Sequence, residues 1–480
     1  MQAVVLRRAA ATVSLSLALA SCAVGPDYRE PVPQAPSSWN AELPHAGNVS
    51  AIAEWWRQFD DPVLERLIAT AEADSPSLAK AWANIEKARA ALSSASAGGR
   101  PSATARGSAA RGTQSQGGSD QVADTRSHGL DASWELDLFG KIRRGAEAAQ
   151  ARADARVSDW HEARVSLAAE VADTYVQHRA CVLLAEAYER ESASTMQTEQ
   201  ATTSLVRAGL RSPSDGSLAR AASASARSSV VSQQAQCDLL VKSLVSLTGM
   251  KEPDLRELIT GTGTDIPRPP ALEVASVPAQ VLRQRPDLAS LERELAATSA
   301  EIGVAQADLY PSLSLSGSIT VSASDLASSA TSWSLGPSVS VPIFDGGRRH
   351  AAVDSARAGF IAAQAEYRQG VRNVVKEVEQ ALVNLDSAGR RADDAATAAQ
   401  EYGRYFRSTE ASWRVGRDSL LTLEEARRNA LSAQIQQIAL QRDHVGYWIA
   451  LYKALGGGWQ PGTPASSPQA MAQHPQPKED

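Results

Sequence analysis

The chain has 480 residues, a formal charge of −6 and only 5% aromatic residues. Its length allows large cores or several domains, and the acidic balance excludes a nucleic-acid partner, because phosphate binding needs a basic patch. Scarce aromatics beside abundant Ala, Ser, Arg, Glu and Gln read as a helix-rich chain with modest cores.

In chain order, Arg7 and Arg8 precede an apolar, small-residue run from Ala9 to Ala20. This is the pattern of a secretory signal, and the run is too short to span a bilayer as a helix. It ends in Leu19-Ala20-Ser21-Cys22, which is similar to the bacterial lipobox, where the cysteine is acylated once the signal (1–21) is cut away. Several acyl chains on Cys22 would anchor the protein stably, where one would be marginal. An ordinary signal peptide with an incidental cysteine is the alternative. Cleavage removes Arg7 and Arg8 and leaves a charge of −8. Ala23 stands where an Asp would signal retention at an inner membrane. An extended, lipid-anchored segment then spans 22–63. Within it Trp55, Trp56 and Phe59 read as packing residues, and Asp61-Pro62 as N-cap and first helical position.

The rest reads as two similar halves, 64–265 and 266–456, followed by a Pro/Ser/Gln-rich tail, 457–480, of disordered composition. "SPSLAKA" (75–81) is echoed by "RPDLASL" (285–291), "LFGKIRRGAEAAQARA" (138–153) by "IFDGGRRHAAVDSARA" (343–358), and "RAGLRSPSDGSLARA" (207–221) by "RVGRDSLLTLEEARR" (414–428). Each half predicts a helix (64–99, then 279–309) ended at Arg100-Pro101 or Tyr310-Pro311, since proline cannot continue a helix. Two short strands follow, then a very long helix (142–204, 347–410), a glycine turn, and a further long helix (217–250, 418–456).

The strands carry the sharpest local signal. "LDASWELDL" (130–138) puts Leu130, Ala132, Trp134, Leu136 and Leu138 on one face and Asp131, Ser133, Glu135 and Asp137 on the other. "LSLSGSITV" (313–321) and "WSLGPSVSVPI" (333–343) alternate in the same way, whereas "SATARGSAARG" (102–112) is poorer and rests on the repeat. Period two with one apolar face fits a half-buried strand or a strand of a transmembrane barrel. No run beyond the signal approaches 18 apolar residues, so a membrane can be crossed only by a barrel. Four strands cannot close one, because about eight are needed. The chain must therefore contribute a share of a barrel built by several copies. The long helices are too charged for lipid, and about 60 residues reach roughly 90 Å, so they need neighbours along their length, as in a coiled-coil-like tube.

These residues resemble the TolC-like outer membrane efflux proteins, in particular the NodT and OprM-like lipoprotein branch. The resemblance runs from "CAVGPDYREP" (22–31) to "LYKALGGGW" (451–459), through "WWRQFDDPVLERLI" (55–68), "LRQRPDL" (282–288), "ADLYPSLSLSGS" (307–318), "VPIFDGGRR" (341–349) and "RVGRDSLLTLEEAR" (414–427). It implies a mainly α fold with a β portion: a homotrimer whose twelve-stranded transmembrane barrel, four strands per chain, continues into a periplasmic α-helical barrel. It implies an outer-membrane channel that passively conducts small toxic compounds, including drugs. Its partners would be a periplasmic adaptor (membrane fusion protein), an inner-membrane pump of the resistance-nodulation-division class, and outer-membrane lipid. A duct for type I protein secretion remains an alternative. So does a periplasmic adaptor or scaffold lipoprotein built of helical hairpins, though an adaptor would show one hairpin between lipoyl-like half-motifs. No catalysis and no cofactor are expected: the seven histidines lack metal spacing, and "GTGTD" (261–265) lacks the rest of a dinucleotide loop.

Against the family pattern, Ala208-Gly209-Leu210 and Val415-Gly416-Arg417 match the hairpin tips that adaptors engage; the glycines could equally serve only to end helices. Asp418 and Glu425 match acidic positions around a periplasmic aperture. Thr422 fits the OprM-like branch but stands where TolC itself has an acid. The alternative there is a solvated helix face, with Glu424 and Glu425 paired to Arg427 or Arg428. In the first half, Pro213 and Gly216 suggest a looser helix start. Asp131, Glu135 and Asp137 would line a barrel lumen and favour cations, or would serve general solvation. Cys181 and Cys237 lie 28 residues before and after Gly209, at one height of an antiparallel hairpin. They form a disulfide if their Cβ vectors face and their Cα atoms lie within about 7 Å.

Overall fold

A computed structural model describes residues 23–33, 36, 39–41, 55–116, 119–260, 265–267, 282–325 and 327–467. The signal segment, Cys22 and the end of the tail (468–480) lie outside the described residues. The helices are α1 (Pro62–Asp74), α2 (Pro76–Ala97), α3 (Lys141–Arg207), α4 (Pro213–Thr248), α5 (Glu252–Thr260), α6 (Pro286–Ala307), α7 (Arg348–Arg414) and α8 (Leu420–Ala454). The strands are β1 (Ser102–Gln116), β2 (Ser119–Leu136), β3 (Ser312–Ser324) and β4 (Ala327–Ser340). The repeat is visible in the element lengths: α3 and α7 each have 67 residues, and their hairpin partners α4 and α8 have 36 and 35. No described helix is long and apolar enough to cross a membrane.

The chain divides into two compact units. The first comprises the chain up to Val32, Ala83–Ser158 and Ala289–Gln369. It holds one antiparallel sheet of order β1-β2-β3-β4, so β1 and β4 are its edges. The register aligns the apolar residues across strands. Leu130 faces Ile319, which faces Trp333; Gly317 faces Leu335; and Leu136 faces Leu313, which faces Val339. The intervening rows are polar, with Asp131 opposite Ser318 and Ser334, and Glu135 opposite Ser314 and Ser338. Cross-strand hydroxyl pairs, Ser108–Ser127 at 2.8 Å and Ser318–Ser334 at 3.0 Å, tie the sheet together. The helices of this unit meet through alanines: Ala148 and Ala151 of α3 pack on Ala296, Ala297 and Ala300 of α6.

The second unit comprises Pro33–Trp82, Asp159–Leu288 and Gly370–Asp480. Its main core gathers Trp55, Phe59, Leu64, Leu67, Ile68 and Leu78 against Tyr175 and Val176 of α3, Val241 and Leu244 of α4, Leu255 and Ile259 of α5, and Ile449 and Tyr452 of α8. Each fully buried leucine of that set contributes roughly 1.5–3 kcal/mol. Trp55 stacks on Tyr452 with ring centroids 5.0 Å apart, in accord with the packing role read from "WWRQF". Asp61 is the N-cap expected of it, accepting from the amides of Val63 and Leu64, and it also accepts a bond of 2.9 Å from the Tyr175 hydroxyl.

Several sequence expectations are corrected. The first helix is two helices, because Pro76 has no amide hydrogen and holds Ser75 extended (φ −73°, ψ 118°). The second half repeats the break, with α6 starting at Pro286 after a short helical stretch at Leu282 and Arg283. Strand β2 starts at Ser119, far earlier than 130, and α5 was not foreseen. Strand β4 ends at Ser340 rather than 343, just before Val341-Pro342, where proline offers no ladder donor. The tail is not free from its start: Gly457 donates to the Tyr452 carbonyl at 3.0 Å, Trp459 is buried, and His161 bonds the Thr463 carbonyl at 2.9 Å.

Candidate functional site

The two hairpin tips are built alike. At the first, the amide of Gly209 donates to the Val206 carbonyl (3.0 Å) and that of Leu210 to the Leu205 carbonyl (2.9 Å). At the second, Gly416 donates to Trp413 (2.9 Å) and Arg417 to Ser412 (2.9 Å). This is the Schellman pattern, which needs a left-handed residue just past the helix end. The φ angles of +71° at Gly209 and +78° at Gly416 supply it. The next helix is capped by a serine in each half: Ser212 accepts from the Asp215 amide at 3.2 Å, and Ser419 from the Thr422 amide at 3.1 Å. Pro213 occupies the first helical turn, where proline's fixed φ suits the position. Leu210 and Val415 are 70% and 69% exposed at these tips, beside the exposed Ala208 and Arg417.

Behind the second tip, Leu420 and Leu423 pack with Trp413 and with Ala219 of the first hairpin. Asp418 is half-buried, and Glu425 is exposed without an ion pair among the described residues. Thr422 belongs to the cap, its hydroxyl 2.8 Å from that of Ser419. The partner of buried Arg427 is Glu424, one of the two glutamates considered for it, and Arg427 also donates to the Thr198 hydroxyl at 2.7 Å. Between α3 and α4 the structure joins Cys181 to Cys237, with S–S 2.17 Å and Cα–Cα 5.5 Å.

On the sheet, the apolar face is exposed: Trp333 by 76%, Leu335 by 70% and Leu130 by 58%. Asp131 lies on the opposite face and is paired with Arg106 at 2.5 Å. Asp137 departs from its expected place among the strand's acids. It falls beyond the end of β2 and accepts from the amides of Ile142 (3.1 Å) and Arg143 (2.8 Å), because the free amides at the start of α3 attract a carboxylate. Glu135 remains in the strand.

Pattern reading missed a clamp on the segment that follows Cys22. Val24 donates to the Phe139 carbonyl at 3.1 Å, and Arg144 bonds the Val24 carbonyl (3.3 Å), Asp27 (2.8 Å) and Glu147 (2.8 Å). The Tyr28 hydroxyl donates to Glu292 at 2.5 Å; burial, then that carboxylate, push its pKa well above the ordinary phenol range. Gly25 (φ +105°) and Gly303 are in such contact that a Cβ on Gly25 would lie 2.5 Å from the Gly303 Cα. The signal was present in Arg143-Arg144, but the repeat equates Arg144 with Arg349, whose ion pair among the described residues is the local one to Asp345.

The sequence profile described as outer membrane efflux protein matches residues 67–250 and 277–457. Nodulation protein T of Rhizobium leguminosarum bv. trifolii is 30% identical over 94% of this chain and 97% of its own length. The antibiotic efflux pump outer membrane protein ArpC of Pseudomonas putida is 30% identical over 95% and 97%. Among solved structures, the outer-membrane channel OprN superposes with a TM-score of 0.81 at 32% identity, covering 92% of this chain and all of its own. The paired halves, the four-stranded sheet with an exposed apolar face and the glycine-capped hairpins thus have one explanation: the chain belongs to the outer membrane efflux protein family.

Proposed function

We propose that the protein is the outer-membrane duct of a tripartite, RND-type efflux system, which passively conducts small toxic compounds expelled by an energised inner-membrane pump. It performs no reaction of its own. The observation that carries this reading is the sheet: an apolar face exposed along β2–β4, a Ser/Thr/acid face behind it, and two unpaired edges. An open edge in hydrocarbon leaves backbone donors and acceptors unsatisfied at several kcal/mol each. Four strands per chain are too few for closure, so several copies must share one barrel; likeness to the TolC-like channels makes them three, with twelve strands.

The remaining assignments follow the same logic. Cys22, acylated, holds the chain to the membrane, and the clamp at Val24, Asp27 and Tyr28 fixes the path of the segment behind it. The tips at 208–210 and 415–417 take a periplasmic adaptor, supported by the exposed Leu210 and Val415. Asp418 and Glu425, brought round a three-fold axis, form the aperture, while Thr422 holds the helix cap behind them. Asp131 and Glu135 face the lumen, and Asp131 is partly neutralised by Arg106.

The test is native mass spectrometry of the mature protein extracted in mild detergent. Trimers of chains that begin at an acylated Cys22 are expected. A monomer with an unmodified N-terminus would sink the shared barrel and the anchor together. For the aperture, the pair Asp418→Asn and Glu425→Gln in planar bilayers should raise single-channel conductance; an unchanged conductance removes both residues from the gate.

A further inference from the structure

In the middle of the sheet, β2 from the first half pairs with β3 from the second. Just beyond the ends of these strands Phe139 stacks on Tyr310, with ring centroids 4.7 Å apart and planes 19° from parallel. At the margins, β1 and β4 match in length, 15 and 14 residues, and their outer edges have no partner among the described residues. Just past β4, Ile343 and Phe344 are 94% and 92% exposed. Just before β1, Arg100 is exposed, and its side chain has no hydrogen bond or ion pair among the described residues.

The internal repeat relates the middle of the sheet to its margins. Phe344 holds the place in the second half that Phe139 holds in the first, and Arg100, before Pro101, holds the place of Tyr310, before Pro311. β4 closes the second hairpin as β2 closes the first, and β1 opens the first as β3 opens the second. A junction of β4 with β1 therefore repeats the junction of β2 with β3. One chain cannot make it, because its β1 and β4 edges lie three strand spacings, about 14 Å, apart, and four strands are too few to close a barrel. We propose that copies of this chain join by an image of the β2–β3 junction, in which Phe344 of one copy lies on the Arg100 guanidinium of the next. The aromatic pair within a chain becomes a cation–π pair between chains, which is attractive when the guanidinium stands within about 6 Å of the ring centroid. Ala103 and Ala105 of β1 face Ala132 and Leu130, on the face that also carries Trp333, so the image sets apolar beside apolar. This contact rests on the shared-barrel reading and adds to it the residues that close the seam.

The first experiment treats the full-length, detergent-purified protein carrying both Arg100→Cys and Phe344→Cys with a bismaleimide too short to bridge the two edges of one sheet. Cys181 and Cys237 are joined and do not compete, and the proposed acylation consumes the thiol of Cys22. A ladder of covalent dimers and trimers is expected on a denaturing gel, and none from either single variant. The second experiment exchanges charge. Phe344→Lys sets like charge against Arg100 and should weaken trimers in native mass spectrometry by about two- to fivefold per seam, the loss of an exposed cation–π pair. Phe344→Glu should retain them, and Arg100→Glu should rescue Phe344→Lys. Trimers of the cysteine variant that give no cross-link, or equal losses with lysine and glutamate, would overturn the proposal and assign Phe344 to lipid, while the shared barrel would stand. Monomers of the wild type would overturn both.

Discussion

The two hairpins share a plan and differ in how they are held. The first, α3–α4, is cross-linked by Cys181–Cys237 and restarts at a proline behind a serine cap. The second, α7–α8, has no cross-link among its described residues; it restarts at Leu420, and its first turns are held by the buried Arg427–Glu424 pair and a small apolar cluster. An internal repeat thus yields one hairpin restrained covalently and one restrained by interactions that can be exchanged. The acids assigned to the aperture, Asp418 and Glu425, belong to the second. In the proposed duct, the acids of the aperture therefore stand on the hairpin without a covalent restraint among its described residues.

The contrast can be broken at the cross-link first. Cys181→Ser releases a staple with a sequence separation of 56 residues, which chain entropy values at about 4 kcal/mol, read as a fall in Tm. Intact protein should yield no titratable thiol from Cys181 and Cys237 after denaturation; two thiols per chain would remove the covalent restraint. In the second hairpin, Glu424→Ala strands the charge of Arg427, whose side chain is 4% exposed, and should cost about 3 kcal/mol. A loss below that of an ordinary surface change would show that Arg427 is satisfied by other groups.

A pH dependence belongs to the first hairpin. Burial, then neighbouring Arg179 and Arg256, press the His178 pKa down to about 4. The unfolded chain, with an imidazole pKa near 6.5, then binds the proton more readily than the fold does. Stability from this group is complete above about pH 6.5 and declines as pH falls towards 4, by up to about 3 kcal/mol. His178→Gln should flatten the Tm–pH curve in that window; an unaltered curve assigns the acid sensitivity to other groups. The smallest effect sharpens the comparison at the tips: Ser212→Ala and Ser419→Ala should each cost about 1 kcal/mol. Equal losses mean equivalent caps, whereas a smaller loss at Ser212 means that Pro213 already holds the turn.

Much of this was legible in the chain. Alternation in "LDASWEL" (130–136) is a local consequence of the pleat, so the apolar and polar faces of β2 could be read without a partner strand. Asp61-Pro62, Gly209 and Gly416 announce caps and turns because their backbone or capping chemistry suits few other conformations. The equal tips follow from the repeat, since like segments make like hydrogen bonds. Boundaries were harder: β2 continues eleven residues earlier than its apolar pattern because β1 offers a ladder partner from Gln116 to Ser102. Asp137 continued the strand's alternation but was recruited by the free amides of α3.

By itself, then, the sequence determined the repeat, the strand faces, the glycine tips and the family, all properties of neighbours along one chain. Only the tertiary structure decided that Arg144 grips Asp27, 117 residues away, and that Arg427 is buried against Thr198 across 229. It also set a glycine-to-glycine contact between the N-terminal segment and α6, at Gly25 and Gly303. The physical reason is that a charged side chain reads as solvated in one dimension; whether it is buried and paired depends on which helix comes to lie beside it.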